Sequence, residues 1–189
     1  MKIKALILVL FLLPVSCWRV FGGESSFGLF NSLKGIGLSY ETSSKDGVFS
    51  SITAYADIYD LPLGRTLYPG GKIVFLRNKV LRTFEHDGVS VGLYLGAGAA
   101  AGYVHDFEAP KNFSQPIHQA NGFGISAAAA GTFGARFDFG HSISLDLSVE
   151  SEIGAHIVPD ANGGNAKMSL YKNGLIQTLY PQLKIMWRF

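Results

Sequence analysis

Residues 141–158 read "HSISLDLSVESEIGAHIV". Ile143, Leu145, Leu147, Val149, Ile153, Ala155 and Ile157 fall on one side of a two-residue period, broken only by Ser151. Ser142, Ser144, Asp146, Ser148, Glu150, Glu152 and His156 fall on the other. Successive side chains of a strand point to opposite faces, so the stretch predicts one strand with a greasy face and a polar face. Ordinary strands run about 5–6 residues. A strand crossing a membrane at a tilt needs only about 9–11. This one is long enough to cross and project on both sides.

The pattern recurs. In 89–104, Val89, Val91, Leu93, Leu95, Ala97, Ala99, Ala101 and Tyr103 oppose a row built of Ser90, Tyr94, Ala100 and glycines. In 123–139, Phe123, Ile125, Phe133, Phe137 and Phe139 oppose Ser126, Thr132, Arg136 and Asp138. Segments 33–42, 48–60 and 72–86 alternate less cleanly. A soluble sandwich would bury the apolar faces, whereas a membrane barrel turns them to lipid and keeps the polar faces inside. Acids and arginines in mid-strand favour the barrel, because they pair across a narrow lumen.

Composition agrees. The chain has 189 residues, 48% hydrophobic, 13% aromatic and only 16% charged, with 23 glycines. Soluble domains carry about 25% charged residues. No apolar run after the first twenty residues reaches the roughly 20 residues of a membrane helix.

"MKIK" followed by "ALILVLFLLPV" reads as a secretory signal peptide. Cleavage after Gly22 would leave residues 23–189 as one domain. It would also remove Lys2, Lys4 and Arg19, leaving 13 basic residues against 14 acids and a net charge of −1 instead of +2. No nucleic-acid footprint remains. Cys17 would leave too, and with it every disulfide or thiolate site. The alternative reading of "PVSC" makes Cys17 a lipidated first residue, against which stands Pro14 where a leucine is usual.

The chain's last residues are "KIMWRF". Leu183, Ile185, Trp187 and Phe189 alternate with Gln182, Lys184, Met186 and Arg188. With the signal peptide and the long two-faced strands, this resembles the small outer-membrane β-barrel proteins of the OmpA/OmpX-like, porin-type kind. The resemblance implies an all-β fold, an antiparallel up-and-down transmembrane barrel. It implies location in the bacterial outer membrane, outer-membrane lipid as surroundings, and the barrel assembly machinery as a partner that reads those four residues. It implies no cofactor.

Seven long segments are expected: 32–42, 48–60, 72–86, 88–104, 121–139, 141–158 and 175–189. The eighth is taken as 167–172, joined to the last by a hairpin at Asn173-Gly174, and a ten-stranded barrel requires that 18–31 also contribute. That arrangement puts the long connections 61–71, 105–120 and 159–166 at the same end as both termini, contrary to the family habit. An eight-stranded barrel is just wide enough to be filled by side chains. The small rows are Gly92, Gly96, Gly98, Gly102, Gly124, Ala128, Ala130 and Gly134. They are expected to leave space for Tyr55, Arg77, Lys79, Glu150, Glu152, Lys184 and Arg188. Arg136, Asp146, Glu150, Glu152, Lys184 and Arg188 are the candidate lumen ion pairs, with the two glutamates paired to Arg136, Lys184 or Arg188.

Other constellations carry less. "GAGAAA" at 96–101 matches the dinucleotide fingerprint but opens no helix, and no acid follows at the required distance. Glu150 and Glu152 share a face and could do acid–base work, yet ion pairing explains them as well. His105, His118, His141 and His156 lack the His-to-Ser spacing of two that marks barrel deacylases of lipid A, and lack a local metal-ligand spacing. The expected role is structural, or contact through surface loops, without catalysis. The alternatives are a lipid-modifying barrel enzyme and a secreted lipocalin-like binder.

Overall fold

In the computed structural model, strand follows strand from Ser25 to Arg188, with no helix among the described residues. The structure describes residues 24–189 except 45, 63, 65, 106–121, 160–165 and 174–179. The strands are β1 (Ser25–Ser32), β2 (Gly35–Ser43), β3 (Val48–Asp57), β4 (Gly70–His86), β5 (Val89–His105), β6 (Phe123–Phe139), β7 (Ile143–Val158), β8 (Lys167–Asn173) and β9 (Tyr180–Arg188). Each pairs antiparallel with the next through β7, and β9 pairs with both β7 and β1, which closes the sheet. Closure removes the edges that an open sheet would expose.

β8 and β9 are two lengths of one stave. Asn173 opposes Glu152 and Tyr180 opposes Glu150 on the same strand β7, and both segments run the same way. The barrel therefore has eight staves. Two expectations are corrected here. β8 and β9 each pair with β7 and not with each other, which overturns the hairpin expected at Asn173-Gly174, of which Gly174 lies outside the described residues. The missing stave is β1, which the sequence reading left outside its seven segments. β1 carries Phe27 and Leu29 outward but Gly28 and Phe30 inward. Both rows look apolar or small, so no alternation marks it.

Adding β1 reverses the direction of every later strand. The start of β1, the end of β9 and the short connections 44–47, 87–88 and 140–142 now share one end, called lower. The long connections 58–69, 106–122 and 159–166 share the upper end. The topological conflict disappears, and the arrangement is the short-turn, long-loop asymmetry of outer-membrane barrels. The β4–β5 hairpin turns on Asp87-Gly88, with φ of 46° and 80°. Both values are positive, as a two-residue type I′ turn requires.

Stagger follows from the register. Stepping across the ladder from Phe30 through Gly37, Tyr55, Lys72, Gly102, Ser126 and His156 arrives at Ser169. Across the seam, however, Phe30 faces Lys184. Discounting the residues inserted between Asn173 and Tyr180, the offset is about ten residues, a strand tilt of roughly 40°.

The two faces separate by polarity. Outward and exposed are Leu29, Leu38, Ile52, Ile73, Phe75, Leu95, Phe133, Leu147, Ile153 and Ile185. Phe27, Phe139 and Trp187 lie outward towards the lower end, and Tyr103 stacks on Phe123 at the upper end, ring centroids 5.5 Å apart. Aromatic girdles at the two ends of an apolar band are the signature of a barrel that spans a bilayer. The buried inner face is dominated by serine, threonine, asparagine and ionisable side chains.

Candidate functional site

The inner face holds two charged clusters at different heights. The lower one is centred on Arg136 of β6. Its guanidinium pairs with Glu41 of β2 across the lumen and lies 3.6 Å from Asp146 of β7. It also sits 3.9 Å above the Phe49 ring. Lys184 of β9 approaches Glu41 at 3.9 Å. Tyr94 of β5 donates its hydroxyl to Asp146 at 2.7 Å and meets Phe49 edge-on, 5.1 Å between centroids. Below them, Arg188 pairs with Asp138 at the rim.

The upper cluster is centred on Lys72 of β4. Its ammonium pairs with Glu152 of β7 and donates to the Tyr171 hydroxyl of β8 at 2.8 Å. Glu150 is buried one inward position from Glu152. Tyr55 is buried against Phe30, 5.0 Å between ring centroids.

These clusters exist because the neighbouring rows are small. A Cβ added at Gly134 would lie 2.5 Å from the Tyr94 ring, and one at Gly102 would lie 3.1 Å from the Lys72 side chain. The glycines and alanines of β5 and β6 therefore leave room for Tyr94 and Lys72 to reach over them. Buried charges are tolerated when paired and hydrogen-bonded and are costly otherwise.

The structure places the sequence candidates as follows. Arg136, Asp146, Glu150, Glu152 and Lys184 are buried on the inner face, and Arg188 is half-buried at its lower rim. Pairing differs from the expectation. Glu152 takes Lys72, Arg136 takes Glu41 and Asp146, and Arg188 takes Asp138. Glu41, Lys72, Tyr94 and Tyr171 were missed. Lys72 shares its inward row on β4 with Val74 and Leu76, which hid it, whereas Glu41 and Tyr94 stand in small or polar inward rows whose partners across the lumen no local spacing shows.

Arg77 and Lys79 were expected inside and are outside, on the exposed row with Ile73 and Phe75. β4 has apolar residues on both faces, Val74 and Leu76 inward and Ile73 and Phe75 outward, and its orientation emerges only from its pairing with β3 and β5, as in Tyr55 with Lys72 and Ser51 with Leu76.

The histidines do not converge. His105 lies 3.4 Å from Asp60 near the upper end, and His141 lies in the lower connection 140–142. His118 lies outside the described residues. His156 is fully buried, and its Nε2 donates to the Val104 carbonyl at 3.1 Å. Ser126 and Ser169 face it in register from the two neighbouring strands, a juxtaposition that no local spacing reveals. Residues 96–101 run straight through β5 without opening a helix. No group of His, Asp and Glu among the described residues is arranged to hold a metal ion.

Comparison with known families finds no match, and no curated protein matches. Among solved structures, the fold is similar to a major outer membrane protein of Thermus thermophilus. Identity is 12% over 89% of this chain and 100% of that one, with a TM-score of 0.44. It is also similar to Ail, the attachment invasion locus protein of Yersinia pestis, at 17% identity over 88% and 99%, TM-score 0.37. Both scores are below 0.5, and the architecture stands on the strand pairing described above.

Proposed function

We propose that this chain is an integral outer-membrane β-barrel with a filled lumen and a structural or surface-contact role. The observation that carries the reading is the separation of faces on a closed barrel. Leu95, Phe133, Leu147 and Ile185 point out, while Glu41, Lys72, Arg136, Asp146 and Glu152 point in and pair across the interior. A lipocalin-like binder needs the opposite arrangement.

Two ion-paired clusters at different heights support a plugged interior in place of an open pore. The upper end supports a surface role. There β5 to β8 rise past the β1–β2 turn, and the connections 106–122 and 159–166 start and end on that wall. For assembly, Leu183, Ile185 and Trp187 form the outward row of β9. That is the row a partner adding to a strand edge would read before β1 closes the seam. The enzyme alternative has little to draw on. His156 is the histidine closest in register to two serines, and it is sealed inside and bonded to a backbone carbonyl.

The test has two arms. Protein inserted in planar bilayers should give no stable conductance of the size of an open porin. The lipid A mass spectrum of cells should be the same with and without the protein, while the deletion strain shows envelope sensitivity. Steady channels would overturn the filled lumen, and an altered acyl pattern would overturn the non-enzymatic role.

A further inference from the structure

Most of the staves carry apolar or small residues on the outer face of their lower half. Phe27 and Leu29 lie on β1, Leu93 and Leu95 on β5, Phe133 and Ala135 on β6, Leu145 and Leu147 on β7, and Ile185 and Trp187 on β9. β2, β3 and β4 depart from this. Thr42, Ser50 and Arg77 form one outward row across the three strands, and Lys79 stands two residues below Arg77. Lys79 pairs with Val48, the first residue of β3, so the patch lies near the end that carries the short turns.

The register irregularity between Val80 and Arg82 extends the patch. It leaves Leu81 without a partner and brings Arg82 opposite Leu93, in line with Lys79 opposite Leu95. Bulges commonly re-aim a side chain in this way. Neither Arg77 nor Lys79 makes an ion pair among the described residues, and the Arg82 guanidinium lies 4.7 Å over the Phe84 ring. An outward arginine or lysine costs about 2–4 kcal/mol at the bilayer midplane and about 0–1 near the interface. Three on one strand, without a protein acid, mark a place where lipid supplies the anion.

Directly above them on the same strands the outer wall is hollow. A trough of about 530 Å³ is lined by Leu38, Ala54, Ala56, Gly71, Ile73 and Ala101. Ile73 is four residues from Arg77, roughly 13 Å along the strand. Cations below and an apolar trough above match the two halves of a lipid whose head faces the periplasm.

We infer that the outer face of β2–β4 holds one anionic glycerophospholipid of the periplasmic leaflet. Its phosphate sits on Arg77 and Lys79, beside the Ser50 hydroxyl, and an acyl chain lies in the trough over Ala54 and Ala56. Arg82 faces the same head from below. Arginine grips phosphate with paired N–H donors, and charge-assisted bonds of this kind are the strong ones. The inference rests on the membrane reading above, and the lower end facing the periplasm follows from that reading.

The test begins by refolding the full barrel into phosphatidylcholine vesicles, with insertion read from gel mobility and resistance to carbonate. Failure at that step would overturn the membrane reading itself, before any anionic lipid is present. Inserted protein is then moved to nanodiscs of mixed phosphatidylcholine and phosphatidylglycerol, and retained lipid is counted by native mass spectrometry. Wild type should keep one phosphatidylglycerol. With about fivefold from each surface cation, R77Q/K79Q should lower that preference roughly twenty-five-fold. A54F fills the trough without changing charge and should weaken retention too. K34Q/K172Q removes the same charge elsewhere and should leave retention unchanged. Equal retention by R77Q/K79Q would overturn the site. So would equal loss in K34Q/K172Q, which would reduce it to net charge. A dimer that forms in phosphatidylcholine alone and is lost in R77Q/K79Q would give the patch to a second copy of the chain.

Discussion

Replacing Arg136 by methionine removes the centre of the lower cluster while keeping most of its length. Glu41 and Asp146 are 1% and 0% exposed and would both lose their guanidinium partner. Lys184 remains near Glu41 at 3.9 Å, and Tyr94 still donates to Asp146. Breaking a buried pair by removing one member costs about 3–5 kcal/mol. The lost stacking over Phe49 is part of the same figure, because the same guanidinium makes both contacts. R136M should therefore be about 3–5 kcal/mol less stable. The companion E41Q/R136M should recover part of that loss, because one of the stranded acids becomes neutral. Contacting residues couple by about 0.5–3 kcal/mol. The assay is reversible urea unfolding in lipid vesicles, followed by tryptophan fluorescence and by gel mobility. A loss below about 1 kcal/mol for R136M, or strict additivity in the double variant, would refute a paired interior.

Three further outcomes are expected. K72M should cost about 3–5 kcal/mol by stranding Glu152, and K72M/E152Q should be more stable than K72M in the same urea assay. G134A would push a methyl into the Tyr94 ring and should lose about 1–3 kcal/mol, while A129G, on the outer face of the same strand, should lose less; equal losses would mean that the small row does not accommodate Tyr94. L147R should lose about 2–4 kcal/mol if it lies near the midplane, and S148A should stay within about 1 kcal/mol; the reverse order would put the faces the wrong way round.

Much of the architecture was legible where one row is apolar and the other polar, as in β5, β6 and β7. Those strands have small or charged inward residues, so the two-residue period is plain. It failed where the interior is filled by apolar bulk. Phe30, Phe49, Val74 and Leu76 point inward, which blurs β1, β3 and β4 and conceals the true orientation of Arg77 and Lys79. A narrow lumen selects side chains by size as well as polarity, and a polarity period cannot see size. The site was legible only in part for the same reason. Arg136, Asp146 and Glu152 stand in clean polar rows, but Lys72 lies on blurred β4, and Glu41 of β2 meets Arg136 only across the closed barrel, a pairing that no local period shows. Asn173-Gly174 misled because turn chemistry is local, whereas the identity of β8 and β9 as one stave depends on which residues of β7 they oppose.

The central claim is that the apolar row faces lipid and the charged row faces a closed interior. Single cysteines carrying a spin label test this directly, since a chain cleaved after Gly22 contains no other cysteine. Labels at Leu95, Phe133 and Leu147 should be relaxed strongly by oxygen dissolved in the bilayer and weakly by a water-soluble nickel chelate. Labels at the small inward positions Ala130 and Ser148 should be shielded from both. Strong relaxation of the Leu147 label by the nickel chelate, with oxygen excluded, would contradict the account.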